Sequence, residues 1–217
     1  MAYMRYLTKY VFWVLIVVLL TGFSYIQTKH SCYNLGKHIP SDDMGYRYYD
    51  SLFYFNPEYL ASSFDYPVGK PDAENYYLAS RFGNNNHLGE DWNGRGGGNT
   101  DLGDPVYAAA NGVVTVSEDI CCGWGNVVRI VHKLEGHSEF GYLETVYAHL
   151  DKKYIGKDQL IRKGDLLGTI GTAHGAYKAH LHFELRDFLD MSMGPGYSND
   201  WEGYLDPSAF IRNNRHF

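Results

Sequence analysis

Apolar and polar residues alternate in short steps along most of this chain. Val106–Ala110, Gly112–Val116, Asn126–His132, Thr145–Leu150, Leu166–Ile170 and His180–Arg186 are brief runs rich in β-branched and apolar residues. Glycine-bearing turns separate most of them, which predicts strands. No long helical period runs between them, so a doubly wound α/β architecture is not expected. The expected fold class is mostly β. The acids after Ser41 suit the start of one short helix, and Asp206-Pro207 reads as an N-cap opening a short terminal helix.

The amino terminus departs from this pattern. Val11–Leu20 reads VFWVLIVVLL, the apolar character continues to Ile26, and Arg5 and Lys9 precede it. A basic flank followed by an apolar helix is an export pattern, either a signal peptide or a signal anchor, with an anchor expected. Residues 27–65 are rich in aromatics without a clean period and read as a membrane-proximal segment. The main domain is expected over residues 66–217, outside the cytoplasm.

The net charge is −6, and beyond residue 26 there are 17 basic and 25 acidic residues. With no basic run, the chain is a poor partner for nucleic acid. The three cysteines, Cys32, Cys121 and Cys122, lack the paired spacing of a zinc–thiolate site. They read as inert thiols, with a bond from Cys32 to one of the adjacent pair as the alternative.

The candidate chemistry lies in histidines. On a strand, His180, His182 and Glu184 of HLHFEL share one face, and Leu181, Phe183 and Leu185 share the other. The two imidazoles then stand about 6.6 Å apart at Cα, which suits one group on a metal and one beside it. In HLGED, His87 and Asp91 lie four apart in a glycine-containing loop and can turn toward one cation. In TVYAHL, strand alternation places Thr145, Tyr147 and His149 on one face.

Together these pieces resemble the lysostaphin-like zinc metallopeptidases, which cut peptide cross-links in bacterial cell walls. The resemblance rests on HLGED, DLGDPVYAAANGVV, GWGNVVRIVH, YAHL, RKGDLLGTIG and AHLHFELRD, in the family's order. It implies one Zn²⁺ bound by His87, Asp91 and His182, with His149 and His180 unligated at the reaction centre. It implies a compact antiparallel β domain of two related β motifs, with the site in a groove. The implied activity is that of an extracytoplasmic metalloendopeptidase acting on peptidoglycan, held to the membrane where the N-terminal segment is uncleaved. One of His149 and His180 takes the proton of metal-activated water, and the other serves the oxyanion or the leaving amine. His180, the neighbour of an implied ligand, is expected as the base. All five positions carry the required residue types. The alternative is a non-catalytic wall-binding regulator of another hydrolase.

Other expectations attach to neighbouring residues. WNGRGGGNTDL, between Asp91 and Gly103, is an insert expected to form a flexible loop near the groove. His174, Tyr177 and Lys178 bring bulk and charge toward the site, with His174 a solvated loop residue. Glu184 either orients a ligand or makes a structural ion pair. Tyr147 either touches substrate or packs, and His132 is structural.

Overall fold

The computed structural model describes residues 43–120, 122–136 and 141–215. The apolar stretch read as an anchor lies outside them. Among the described residues, no helix is long and apolar enough to cross a membrane.

Ten strands of the described residues form one sheet: β1 (Tyr76–Ser80), β2 (Glu90–Gly94), β3 (Pro105–Tyr107), β4 (Gly112–Ile120), β5 (Gly125–Lys133), β6 (Tyr142–Lys153), β7 (Leu160–Ile161), β8 (Leu166–Ile170), β9 (Leu181–Arg186) and β10 (Tyr204–Leu205). The main path runs β1-β2-β9-β6-β5-β4-β7, with β10 on β9 and β3 on β8, which also pairs with β6. Every strand pairing is antiparallel. All six expected strands are present. The structure adds β1, β2, β7 and β10, and residue 91, expected in a loop, stands on β2 opposite His182.

The centre of the sheet is buried on both faces. Tyr147, Phe183, Leu181, Val128 and Ile130 point into the larger core, while Val127, Val146 and Ala148 join Trp124 and Met193 on the other side. Each side chain alternates as the pleat requires, so one run of β-branched residues supplies both cores.

Among the described residues, two α-helices flank the sheet. Helix α1 (Asp43–Phe55) lays Tyr49 and Phe53 against Val113, Val131, Tyr142 and Leu189. The Tyr142 hydroxyl donates to Asp50 Oδ1 at 2.5 Å and fixes the helix on the strands. Ala61 and Phe64, just before the expected domain start, are also buried in the core. Helix α2 (Pro207–Asn213) begins as the sequence indicates: the Asp206 side chain accepts from the Ala209 amide at 2.8 Å, with proline in the first turn.

Candidate metal centre

Two separate pieces of chain meet at one end of β9. His182 is on β9 and Asp91 is directly opposite on β2. His87 follows a short 3₁₀ turn at Asn84–Asn86. Gly89 explains how the HLGED segment comes so close to β9. A Cβ there would lie 2.6 Å from the Phe183 carbonyl oxygen and 3.0 Å from His182 Cε1. Only a residue without a side chain permits that approach.

His87 Nε2 and Asp91 Oδ1 each lie near His182 Nδ1, both at 3.1 Å, and 3.4 Å from each other. A tetrahedral zinc shell with bonds of about 2.0–2.1 Å has edges of about 3.3 Å. The triangle therefore fits three corners of such a shell. The outer atoms fit as well. His87 Nδ1 lies 3.2 Å from Ser80 Oγ, and His182 Nε2 lies 2.9 Å from Glu184 Oε1. Each ring thus has its second nitrogen held while the first faces the common point, which is the usual support of a metal-binding imidazole.

The electrostatics also call for a cation. Burial opposes charge on His182, but Asp91 and Glu184 outweigh it and raise its pKa to about 9. Burial raises the Asp91 carboxyl, and hydrogen bonding and charge from His182 more than reverse this, holding it below the ordinary value. His87 is pushed below the usual histidine range by burial and by His182. Two carboxylates thus surround two rings in a largely dry site, where a positive charge is strongly favoured.

His149 and His180 complete the group. Their ring centroids are 4.8 Å apart, and His180 Nε2 lies 3.6 Å from Asp91 Oδ1. His180 is not on β9. It precedes the strand, in an isolated bridge to Gly171, and its Nδ1 rests on the Lys178 carbonyl at 2.8 Å. His149 does not share the face of Tyr147. At His149, β6 leaves β9 and joins β8, the register against β5 shifts, and φ is +63°. This left-handed residue breaks the alternation and turns the ring toward His180 and His182. Its Nδ1 lies 3.1 Å from the Trp124 carbonyl, and burial with the neighbouring His182 and His180 pushes its pKa down to about 3.

Several expectations are corrected here. Tyr147 does not reach the cleft: it is fully buried against Phe183, and its hydroxyl accepts from the Ala109 amide at 2.8 Å. The insert is not a free loop. Its first residues, Trp92–Gly94, continue β2, and buried Asp101 accepts from the Gly94 amide at 2.8 Å. Asn99 accepts from the Ala179 amide at 2.9 Å and Asn93 donates to the Ala179 carbonyl at 3.2 Å, so the insert grips the residue before His180. Cys122 is not an inert thiol but disulfide-bonded, with its partner outside the described residues. His174 is an exposed residue, as expected, and pairs with Asp119 at 2.9 Å. His132 is sealed in the core, as its position on an apolar strand indicates.

The cleft beside the triangle measures about 130 Å³ and is lined by His149, His180 and His182 with Trp124, Tyr177 and Tyr197. Tyr177 and Tyr197 are about half exposed, and Tyr197 stacks on His87 with centroids 4.7 Å apart. Sequence reasoning missed Tyr197, because nothing local to GPGYSND signals a neighbour 110 residues earlier. Gly123, at φ +90°, lies under the Tyr177 hydroxyl, which a Cβ would meet at 2.5 Å.

Residues 86–195, about half of the chain, match the family model described as Peptidase family M23. The chain belongs to that family. This agrees with the resemblance carried by the motifs. Over 84 residues it is 34% identical to the DD-carboxypeptidase/endopeptidase Mpg of Neisseria meningitidis, covering 39% of this chain and 17% of Mpg. Over 84 residues it is also 31% identical to the murein hydrolase activator NlpD of Salmonella dublin, covering 39% of this chain and 20% of NlpD. The chain spans 30% or less of most curated relatives it matches. The crystal structure of CbpA from L. salivarius REN shares the fold, with a TM-score of 0.51 and 24% identity over 70% of this chain and 97% of that one.

Proposed function

We propose that this M23 member is a zinc-dependent endopeptidase that hydrolyses peptide cross-links of bacterial peptidoglycan. The observation that carries the reading is the donor triangle of His87, Asp91 and His182, with edges of 3.1, 3.1 and 3.4 Å, beside two further histidines at one cleft. Bound there, zinc supplies Lewis-acid polarisation of a carbonyl and a water acidic enough to act near neutral pH.

The chain's own residues do the remaining work. His180 is assigned as the proton acceptor, because its Nε2 lies 3.6 Å from the Asp91 oxygen at the rim of the triangle. His149 is assigned to the oxyanion or the leaving amine; burial and its histidine neighbours push its pKa down to about 3. The ring is therefore neutral near pH 7, and a proton that it hands to a leaving amine must first reach it during the reaction. The Trp124 carbonyl and the left-handed backbone keep that ring aimed at the cleft. Glu184 orients His182, and Ser80 orients His87. The aromatic walls, Tyr177 and Tyr197, exclude water around a bound peptide.

The same reading divides the chain into an N-terminal anchor or signal (1–26), a membrane-proximal segment (27–65) and the metallopeptidase domain (66–217). It places that domain outside the cytoplasm. A wall-binding regulator is the second reading, favoured by the likeness to an activator. One experiment separates them. Purified protein is assayed for zinc and for release of new amino termini from isolated peptidoglycan, with and without chelator. Chelator-sensitive release supports the peptidase. Wall binding by zinc-loaded protein without new amino termini overturns it in favour of the regulator.

A further inference from the structure

Glu184 and Arg186 follow His182 at alternate positions of β9, so all three point to the same side of the sheet. The proton chemistry above uses nothing of Arg186, yet its side chain is wholly buried. Three sets of partners surround it. Toward the triangle, its Nε and Nη2 donate to Glu184 Oε2 at 2.8 and 2.6 Å, while the other Glu184 oxygen meets His182 Nε2 at 2.9 Å. Away from the triangle, Nη1 lies 3.5 Å from Glu144 Oε1, and Arg129 holds that carboxylate through bonds of 3.0 and 2.5 Å. Toward the surface, Arg186 donates to the carbonyls of Met191, Ser192 and Met193 at 3.4, 3.2 and 3.1 Å.

The third set is informative. The chain after Met193 continues directly into Pro195, Gly196 and Tyr197, which wall the cleft. Trp124 ties the same stretch down, its Nε1 donating to the Gly194 carbonyl at 3.1 Å. A buried ion pair is weak evidence of stability by itself, since apolar replacements often do as well. What the geometry requires is an arginine. Its planar fork of five donors serves a carboxylate and three carbonyls in fixed directions, whereas a lysine has three donors on a single atom.

We propose that Arg186 is a positioning residue that couples the orientation of His182, through Glu184, to the placement of the 191–197 wall of the cleft. Metal grip and substrate wall are then set by one side chain, and loosening its fork weakens both together. The inference rests on the metal-centre reading above.

The test uses the full chain and two variants, R186K and E184Q. Folding is followed by circular dichroism, zinc affinity by competition with a chromophoric chelator, and KM with a defined wall peptide. R186K is expected to bind zinc 10- to 100-fold more weakly and to show a raised KM. E184Q leaves His182 an oxygen but removes the carboxylate from the arginine fork, and at least a tenfold loss of zinc affinity is expected. A folded R186K that keeps wild-type zinc affinity or wild-type KM overturns the coupling. Where R186K does not fold, E184Q decides: wild-type zinc affinity in that variant overturns the proposal. A wild-type chain that binds no zinc instead sinks the metal-centre reading, so the two failures are distinguishable.

Discussion

His132 and His149 stand on the paired strands β5 and β6, and their surroundings are built alike. Each rests its Nδ1 on a main-chain carbonyl, that of Asn111 at 2.7 Å and that of Trp124 at 3.1 Å. Burial lowers both pKa values, to about 4 and about 3, with neighbouring histidines adding to the effect at His149. The two regions differ at Nε2. That of His132 meets Thr145 Oγ1 at 2.8 Å, and Phe64 packs edge-on against the ring. The His149 ring opens instead on the cleft shared with His180 and His182. A depressed pKa therefore does not by itself distinguish a reactive histidine from a structural one. The separating feature is a ring nitrogen directed at space that a ligand can enter.

The contrast can be broken in several places. The largest effect is expected from D91A or H182A, which should lose bound zinc and all detectable turnover; elemental analysis of the purified variants checks this. Next come H149A and H180A, expected to keep zinc while turnover falls by about 10²–10⁴-fold. Loss of zinc from either would mean that the ring is a ligand and that the triangle is misassigned.

H132A should do the reverse. Turnover per folded molecule stays near wild type, while urea unfolding shows a loss of roughly 2–4 kcal/mol from the cavity and the lost bonds to the Asn111 carbonyl and the Thr145 hydroxyl. The same residue makes stability depend on pH. Its unfolded ring takes a proton near pH 6.5, whereas the folded ring refuses one until about pH 4. The unfolded state thus binds more protons in that window, and stability falls as the pH drops through it. The wild-type excess over H132A should shrink by on the order of 3 kcal/mol between those limits. The smallest effect is expected from N99A, which removes one of two holds on Ala179. A few-fold drop in kcat with unchanged zinc affinity would show that the insert steadies His180, and an unchanged kcat would confine it to structure.

The sequence carried much of this arrangement in legible form. The β-branched runs at Gly112–Val116 and Asn126–His132 announce strands because their periodicity is local. The candidate metal residues were readable from HLGED and HLHFE as residue types at fixed spacing. Strand β2 was not readable, because EDWNG is polar and glycine-bearing and is held extended by pairing with β9. The bulge at His149 was hidden for a different reason. Strand alternation assumes an unbroken pleat, and only the change of partner from β9 to β8 reveals the break. Three successive glycines suggested a mobile insert, but the deciding bonds come from Asp101, Asn99 and Asn93 to residues near and far. Long-range hydrogen bonds of this kind leave no periodic trace.

The positive φ at His149 has a bearing on engineering. An L-residue held there costs on the order of 1–3 kcal/mol, so a glycine at this position should raise the melting temperature above that of the alanine variant. A redesign that smooths β6 into a regular strand would gain the same energy and swing the imidazole into the hydrophobic interior. Thermostabilisation campaigns on this scaffold should therefore leave that one backbone irregularity untouched.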